Sequence, residues 1–161
     1  EWVLAGEGIA TRKFDGTCAL VRDGKAYKRY DAKNGKTPPE GWEAAQDPDP
    51  VTGHWPGWLP VGKGTDDKWF REAFESYQDG LMDGTYELIG PKVNGNPEGA
   101  DVHQLIRHGS YQFVGEAAPP RTFEGLRSWL GPLDIEGIVW HHPDGRMVKI
   151  KKKDFGLRRK D

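Results

Sequence analysis

Two Asp-Gly turns constrain the fold of this chain more than any other feature. Asp23-Gly24 separates residues 17–22 from 25–30, and Pro143-Asp144-Gly145 separates 135–141 from 146–152. Asp-Gly supplies the positive φ angles of a tight hairpin turn, and strand-forming residues flank both turns, so each predicts an antiparallel hairpin. Between them the apolar period becomes helical twice. Trp69, Phe70, Ala73, Phe74 and Tyr77 form one stripe, predicting a helix over 66–77 with Thr65 or Asp66 as its cap. Thr122 caps a second helix, with Phe123, Leu126, Trp129 and Leu130 on its buried face and Gly131-Pro132 stopping it. Shorter strands are read over 8–12, 85–89, 102–107 and 111–114. Nothing repeats, and no segment alternates strand and helix as a parallel sheet requires. The class is therefore α+β with mostly antiparallel strands.

Residues 33–64 have a different character. Pro38, Pro39, Pro48, Pro50, Pro56 and Pro60, with Trp42, Trp55 and Trp58, predict an extended insertion of low periodicity. The tryptophans either pin this loop to the domain or stack on nucleic-acid bases. A length of 161 residues fits one domain with a substantial core. No apolar run is long enough to span a bilayer and no signal peptide is visible, which sets membrane classes aside. Cys18 is the single cysteine, so no internal disulfide forms and a reducing, cytoplasmic compartment is the expectation. Net charge is −2, yet Lys149, Lys151, Lys152, Lys153, Arg158 and Arg159 crowd the end of the chain against Asp154. Such a block either grips a polyanion or is a solubilising end.

Lys13-Phe14-Asp15-Gly16 sits between the strand over 8–12 and the first hairpin. Alone, Lys-x-Asp-Gly reads equally as a turn with a solvated lysine beside it. Three further features follow it in order: Tyr86-Glu87-Leu88-Ile89-Gly90, Glu136-Gly137-Ile138-Val139, and Lys149-x-Lys151. Each has a bland reading, an exposed strand acid or a solvated strand face, but Lys149 and Lys151 are two apart and leave one face of their strand. His141 and His142 point to opposite faces and do not chelate one ion together. His103 and His108 have no acid or cysteine at zinc spacing, and Cys18 has no catalytic partner in the sequence.

The ordered set resembles the covalent nucleotidyltransferase superfamily of ATP-dependent DNA ligases, RNA ligases and mRNA capping enzymes, over nearly the whole chain. It is most similar to the RNA ligases through Thr11-x-Lys13-x-Asp15-Gly16 and Tyr86-Glu87-Leu88-Ile89-Gly90. Asn94-Gly95-Asn96 and Leu105-Ile106-x-His108-Gly109 resemble a compact 5′-to-3′ RNA ligase branch. The resemblance implies a single ATP-grasp-like nucleotidyltransferase domain over 1–161, its two antiparallel sheets flanking an active-site groove, with no OB-fold domain.

It also implies roles. Lys13 is the nucleophile that takes AMP from ATP. A lysine of ordinary pKa, about 10.4, is protonated at neutral pH, and nearby cations lower it; Lys149, Lys151 and Mg²⁺ (or Mn²⁺) supply them and stabilise charge on the α-phosphate. Glu136 holds the metal, whose preference is for hard oxygen ligands. Glu87 accepts from the ribose hydroxyls, Arg29 contacts phosphate, and Arg12, Asp15 and Gly16 shape the nucleotide pocket. Tyr111 or Phe113 stacks on adenine. Arg12 departs from the Glu common before the lysine in RNA ligases, and Cys18 from the Arg or Asn of relatives. The implied activity joins RNA 5′-phosphate and 3′-hydroxyl ends. A nucleic-acid end-binding module and a DNA nick-sealing ligase are the alternatives.

Overall fold

The computed structural model describes residues 1–160. In chain order these form β1 (Ile9–Lys13), β2 (Thr17–Arg22), β3 (Lys25–Asp31), β4 (Glu43–Ala44), β5 (Pro56–Pro60), α1 (Lys68–Glu75), β6 (Gly84–Ile89), β7 (Gln104–Arg107), β8 (Gln112–Phe113), α2 (Phe123–Leu130), β9 (Gly137–His141) and β10 (Met147–Lys151). All strand pairs in the two sheets are antiparallel. The chain divides into two compact units, residues 1–15 with those from Gly109 onward, and residues 16–108.

The first unit is built on a four-stranded sheet in the order β10-β9-β1-β8. Alternation along β9 sends Ile138 and Trp140 to one face, where Ala10 of β1 joins them and Leu126 and Leu130 of α2 cover them. Thr122 caps α2 as its sequence position predicts, its side-chain oxygen accepting from the Gly125 N–H. Phe123 departs from the expected buried face: its ring is exposed and leans on Phe155.

The second unit carries a six-stranded sheet in the order β4-β5-β3-β2-β6-β7. Its core gathers Ala19 and Val21 of β2, Tyr86 and Leu88 of β6 and Leu105 of β7 under Phe70 and Ala73 of α1. The helix is shorter than expected and is led by a 3₁₀ turn, Thr65–Asp67. Asp67 at its N-cap makes no capping bond; its carboxylate instead accepts from Lys28 Nζ and the Gly62 N–H.

The Pro-rich insertion is more ordered than its sequence suggests. β5 pairs with β3 along its whole length, and β4 adds a short edge. The prolines at both ends of β5 fall where a missing N–H is least disruptive to a ladder. Trp42 donates to the Tyr30 carbonyl, meets Trp55 edge to face, and Trp55 donates to the Gln46 carbonyl. These contacts tie the insertion down, as the first reading of the tryptophans holds.

Candidate active site

Strand register, a long-range property, builds the site of the first unit. Lys13 lies opposite Gly137, and Gly137 lies opposite Lys151. Directly opposed residues of antiparallel strands share a face. Thr11, Val139 and Lys149 form the next row on that face. Lys13, Lys149 and Lys151 thus stand on the side of the sheet away from α2, while Ala10, Ile138 and Trp140 serve the core. Gly137, at the centre of the first row, has no side chain to separate the two lysines. A β-carbon there would lie 2.7 Å from Lys151 Cα and 3.1 Å from the Ile150 carbonyl carbon.

Lys13 Nζ donates to Glu136 Oε2 at 2.7 Å. The pair is only partly shielded, with side chains 21% and 25% exposed, so it stays open to a ligand. Glu136 is held in place by its own backbone: its carbonyl accepts from the Lys152 N–H at 3.0 Å. Lys151 is anchored through its backbone N–H, which donates to Asp154 Oδ2 at 2.8 Å. Desolvation, then the neighbouring charge of Lys153 and that of Lys149, outweigh Asp154 and lower the Lys151 pKa below its ordinary value.

Alternation along β1 sends Arg12 to the opposite face from Lys13, the α2 side where Ile138 and Ala10 lie, and an aromatic group gathers there. The Arg12 guanidinium sits over the Phe14 ring at 4.6 Å, and Phe14 meets Tyr111 edge to face at 4.9 Å. Phe113 packs edge-on against Trp129. Arg12, Tyr111, Gln112, Phe113, Leu133 and Ile135 line a cavity of about 240 Å³, which brings three of the expected nucleotide-pocket residues together. The Tyr111 ring is exposed, whereas Phe113 is engaged with the core. Asp15 closes this unit.

Gly16, Arg29 and Glu87 belong to the second unit. Gly16 is pressed against β6: a β-carbon would lie 2.9 Å from the Leu88 carbonyl carbon and 3.1 Å from Glu87 Cγ. Its carbonyl accepts from Asn94 Nδ2 at 2.9 Å, so the Asn94-Gly95-Asn96 turn clamps the segment that follows Lys13. Arg29 stacks over Trp58 at 5.2 Å.

Glu87 on β6 lies opposite Cys18 on β2 and Ile106 on β7. Its Oε1 is 3.0 Å from His108 Nε2, and His108 Nδ1 is 2.8 Å from Thr85 Oγ1. Burial first, then the Glu87 charge, pushes the Cys18 thiol up to about 11, against the opposing pull of Arg29. Cys18, Glu87 and His108 therefore form a cluster whose ligand atoms all lie within 4.8 Å of one another. No local spacing signals it, because sheet pairing assembles it. His103 is a packing residue: it stacks on Trp69, accepts from the Lys92 N–H and pairs with Glu72.

Two antiparallel sheets with flanking helices, one sheet carrying a row of lysines and an acid, are consistent with an RNA ligase domain. Comparison with known proteins agrees. The family model described as RNA ligase 1 matches residues 77–161. The proteins named RNA ligase 1 in Mus musculus, Rattus norvegicus and Danio rerio are each 28% identical to this chain over 221 aligned positions, covering 92% of it and 67% of each relative. The chain belongs to the RNA ligase 1 family. Among the described residues, no helix is long and apolar enough to cross a membrane.

Proposed function

We propose that this chain is an ATP-dependent RNA ligase that works through an AMP-lysine intermediate at Lys13. The observation that carries the reading is the row Lys13–Gly137–Lys151 with Glu136 bonded to the Lys13 amine. A structural ion pair needs one lysine and one acid. A row of lysines on one sheet face gathers positive charge that suits a phosphate whose negative charge grows during reaction.

In the first step Lys13 Nζ, having lost its proton, attacks the α-phosphorus of ATP. A P–N bond forms, the bond to the bridging oxygen breaks, and pyrophosphate leaves with the electron pair. Lys149 and Lys151 balance the charge on the phosphate oxygens. A 5′-phosphate oxygen of RNA then attacks the same phosphorus and the P–N bond breaks, which returns Lys13 and leaves an AMP-capped end. The 3′-hydroxyl of the other RNA end displaces AMP and forms the phosphodiester.

Glu136 offers carboxylate oxygen, the donor type that Mg²⁺ or Mn²⁺ prefers, at the position where the amine now binds. Such an ion, when bound, supplies positive charge to the phosphates. Of Tyr111 and Phe113, the two rings assigned to adenine, Tyr111 is the exposed one, and Arg12 is assigned to shape the nucleotide pocket. Glu87 is assigned to the ribose hydroxyls and Arg29 to phosphate.

The test is joining of RNA strands bearing 5′-phosphate and 3′-hydroxyl ends, with and without ATP, by the wild type and by Lys13→Ala. ATP-dependent joining lost in the variant is expected. RNA that is bound but never joined, with ATP and either metal present, would leave an end-binding module instead.

A further inference from the structure

Outside the lysine row, one cluster holds three different kinds of metal-ligating side chain. Cys18 comes from β2, Glu87 from the neighbouring β6, and His108 from the residue after β7, so three adjacent positions of one sheet supply them. Their ligand atoms fall within 4.8 Å of one another. Donors of a tetrahedral ion stand roughly 3–4 Å apart, given metal–ligand distances of about 2.0–2.3 Å. Small side-chain rotations close that difference. The backbone is already fixed, by the β2–β6 ladder and by the His108 N–H donating to the Thr85 carbonyl at 3.1 Å.

The imidazole is oriented for the task. Its Nδ1 is engaged by Thr85 Oγ1 at 2.8 Å, which leaves Nε2 facing Glu87 and Cys18. A ligand histidine with its far nitrogen held by a second group is the arrangement that metal sites use to set tautomer and ring angle. The donor set is soft sulfur, imidazole and carboxylate. It matches Zn²⁺ and its congeners and disfavours Mg²⁺, which takes oxygen alone.

We propose that Cys18, Glu87 and His108 form a site for one thiophilic divalent cation of the Zn²⁺ class, whose binding removes Glu87 from the nucleotide and shuts off AMP transfer. On binding, the cation forms bonds to Cys18 Sγ, a Glu87 oxygen and His108 Nε2; the Cys18 S–H and His108 Nε2–H bonds break, the thiol proton leaves to solvent, and the imidazole moves its proton to Nδ1, which then donates to Thr85 Oγ1. The fourth position belongs to water, as in sites with three protein ligands. The metal-binding half stands on the cluster alone. The inhibitory half rests on the reading of Glu87 as the ribose holder. A rise in free zinc would then act through Cys18 and His108, which the ligation chemistry does not use, by drawing Glu87 away from the nucleotide.

The experiment titrates the full chain with Co²⁺, a spectroscopic stand-in for Zn²⁺, and reads the near-ultraviolet sulfur-to-cobalt band. One equivalent is expected, displaced by Zn²⁺, with the band absent from Cys18→Ala and the affinity lowered at least tenfold in His108→Ala. Circular dichroism of both variants checks that the sheet survives. No band in the wild type, or a band unchanged in Cys18→Ala, overturns the site. A second arm labels the protein with α-³²P-ATP and Mg²⁺. Equimolar Zn²⁺ is expected to abolish labelling of the wild type and to spare Cys18→Ala. Cobalt binding with undiminished labelling overturns the inhibition alone. No labelling of any protein, metal-free or not, is a failure of the ligase reading, and the cobalt band then judges the site by itself.

Discussion

Replacing Gly137 by alanine tests the row that joins Lys13 to Lys151. The added methyl carbon falls 2.7 Å from Lys151 Cα and 3.1 Å from the Ile150 carbonyl carbon, and closer still to the Ile150 oxygen. Carbon atoms sit comfortably about 3.5–4.0 Å apart, so β10 must move outward by roughly 1 Å. The obstructing atoms are backbone, and no side chain can rotate aside to relieve them. Overpacking of this kind costs about 1–3 kcal/mol. In a chain of this length each kcal/mol lowers Tm by about 2–4 °C, so a fall of about 2–12 °C is expected by circular dichroism. The displacement also carries Lys151 away from Lys13. A misplacement of about 1 Å in a reacting constellation slows chemistry by about 100-fold, which single-turnover labelling with α-³²P-ATP measures at a temperature where the variant is folded. If Gly137→Ala melts with the wild type and labels at its rate, the bare α-carbon does not set the spacing of the row.

Glu136→Gln removes the negative charge of a pair that is about a fifth to a quarter exposed but leaves an amide oxygen to accept, so the loss of stability in urea stays within about 1 kcal/mol, while labelling of Lys13 falls at least tenfold; a loss confined to stability would make the pair structural. Leu130→Ala empties a fully buried position under the first unit's sheet and is expected to cost about 2–5 kcal/mol in the same assay. Thr122→Ala deletes the cap of α2 and should cost about 1 kcal/mol; an unchanged midpoint would deny the cap any role. Asp31 titrates at about 2, because the His54 hydrogen bond first and the Trp55 N–H next favour its charged form. A depressed carboxyl stabilises the fold above its unfolded pKa of about 3.9, and that contribution disappears as pH falls through the folded value. His54→Ala should raise the Asp31 midpoint in an NMR carboxyl titration and start acid loosening of the insertion at higher pH.

Both hairpins are legible in the sequence because Asp-Gly turns and alternating flanks are local signals. The β2–β3 and β9–β10 pairs form where those signals put them. The α1 stripe is legible for the same reason: Phe70 and Ala73 recur at helical spacing and fill the core. β5 was hidden by its own prolines, which mark an irregular segment unless the pairing partner β3 is known. Phe123 looked buried by spacing, but its place in the first turn of α2 lets the ring turn outward onto Phe155. The shared face of Lys149 and Lys151 follows from a period of two. Their alignment with Lys13 does not, because the β1–β9 pairing joins residues more than a hundred positions apart and no local pattern encodes that register. The Cys18–Glu87–His108 cluster escaped for the same reason.

The central claim is that Lys13 carries AMP covalently. Incubation with α-³²P-ATP and Mg²⁺ or Mn²⁺, followed by a denaturing gel and peptide mapping, tests it most directly. The expected result is acid-labile label on the peptide containing Lys13, absent from Lys13→Ala while that variant keeps the wild-type circular dichroism spectrum. Label retained at full strength in folded Lys13→Ala, or no label on folded wild type with either metal, would contradict it.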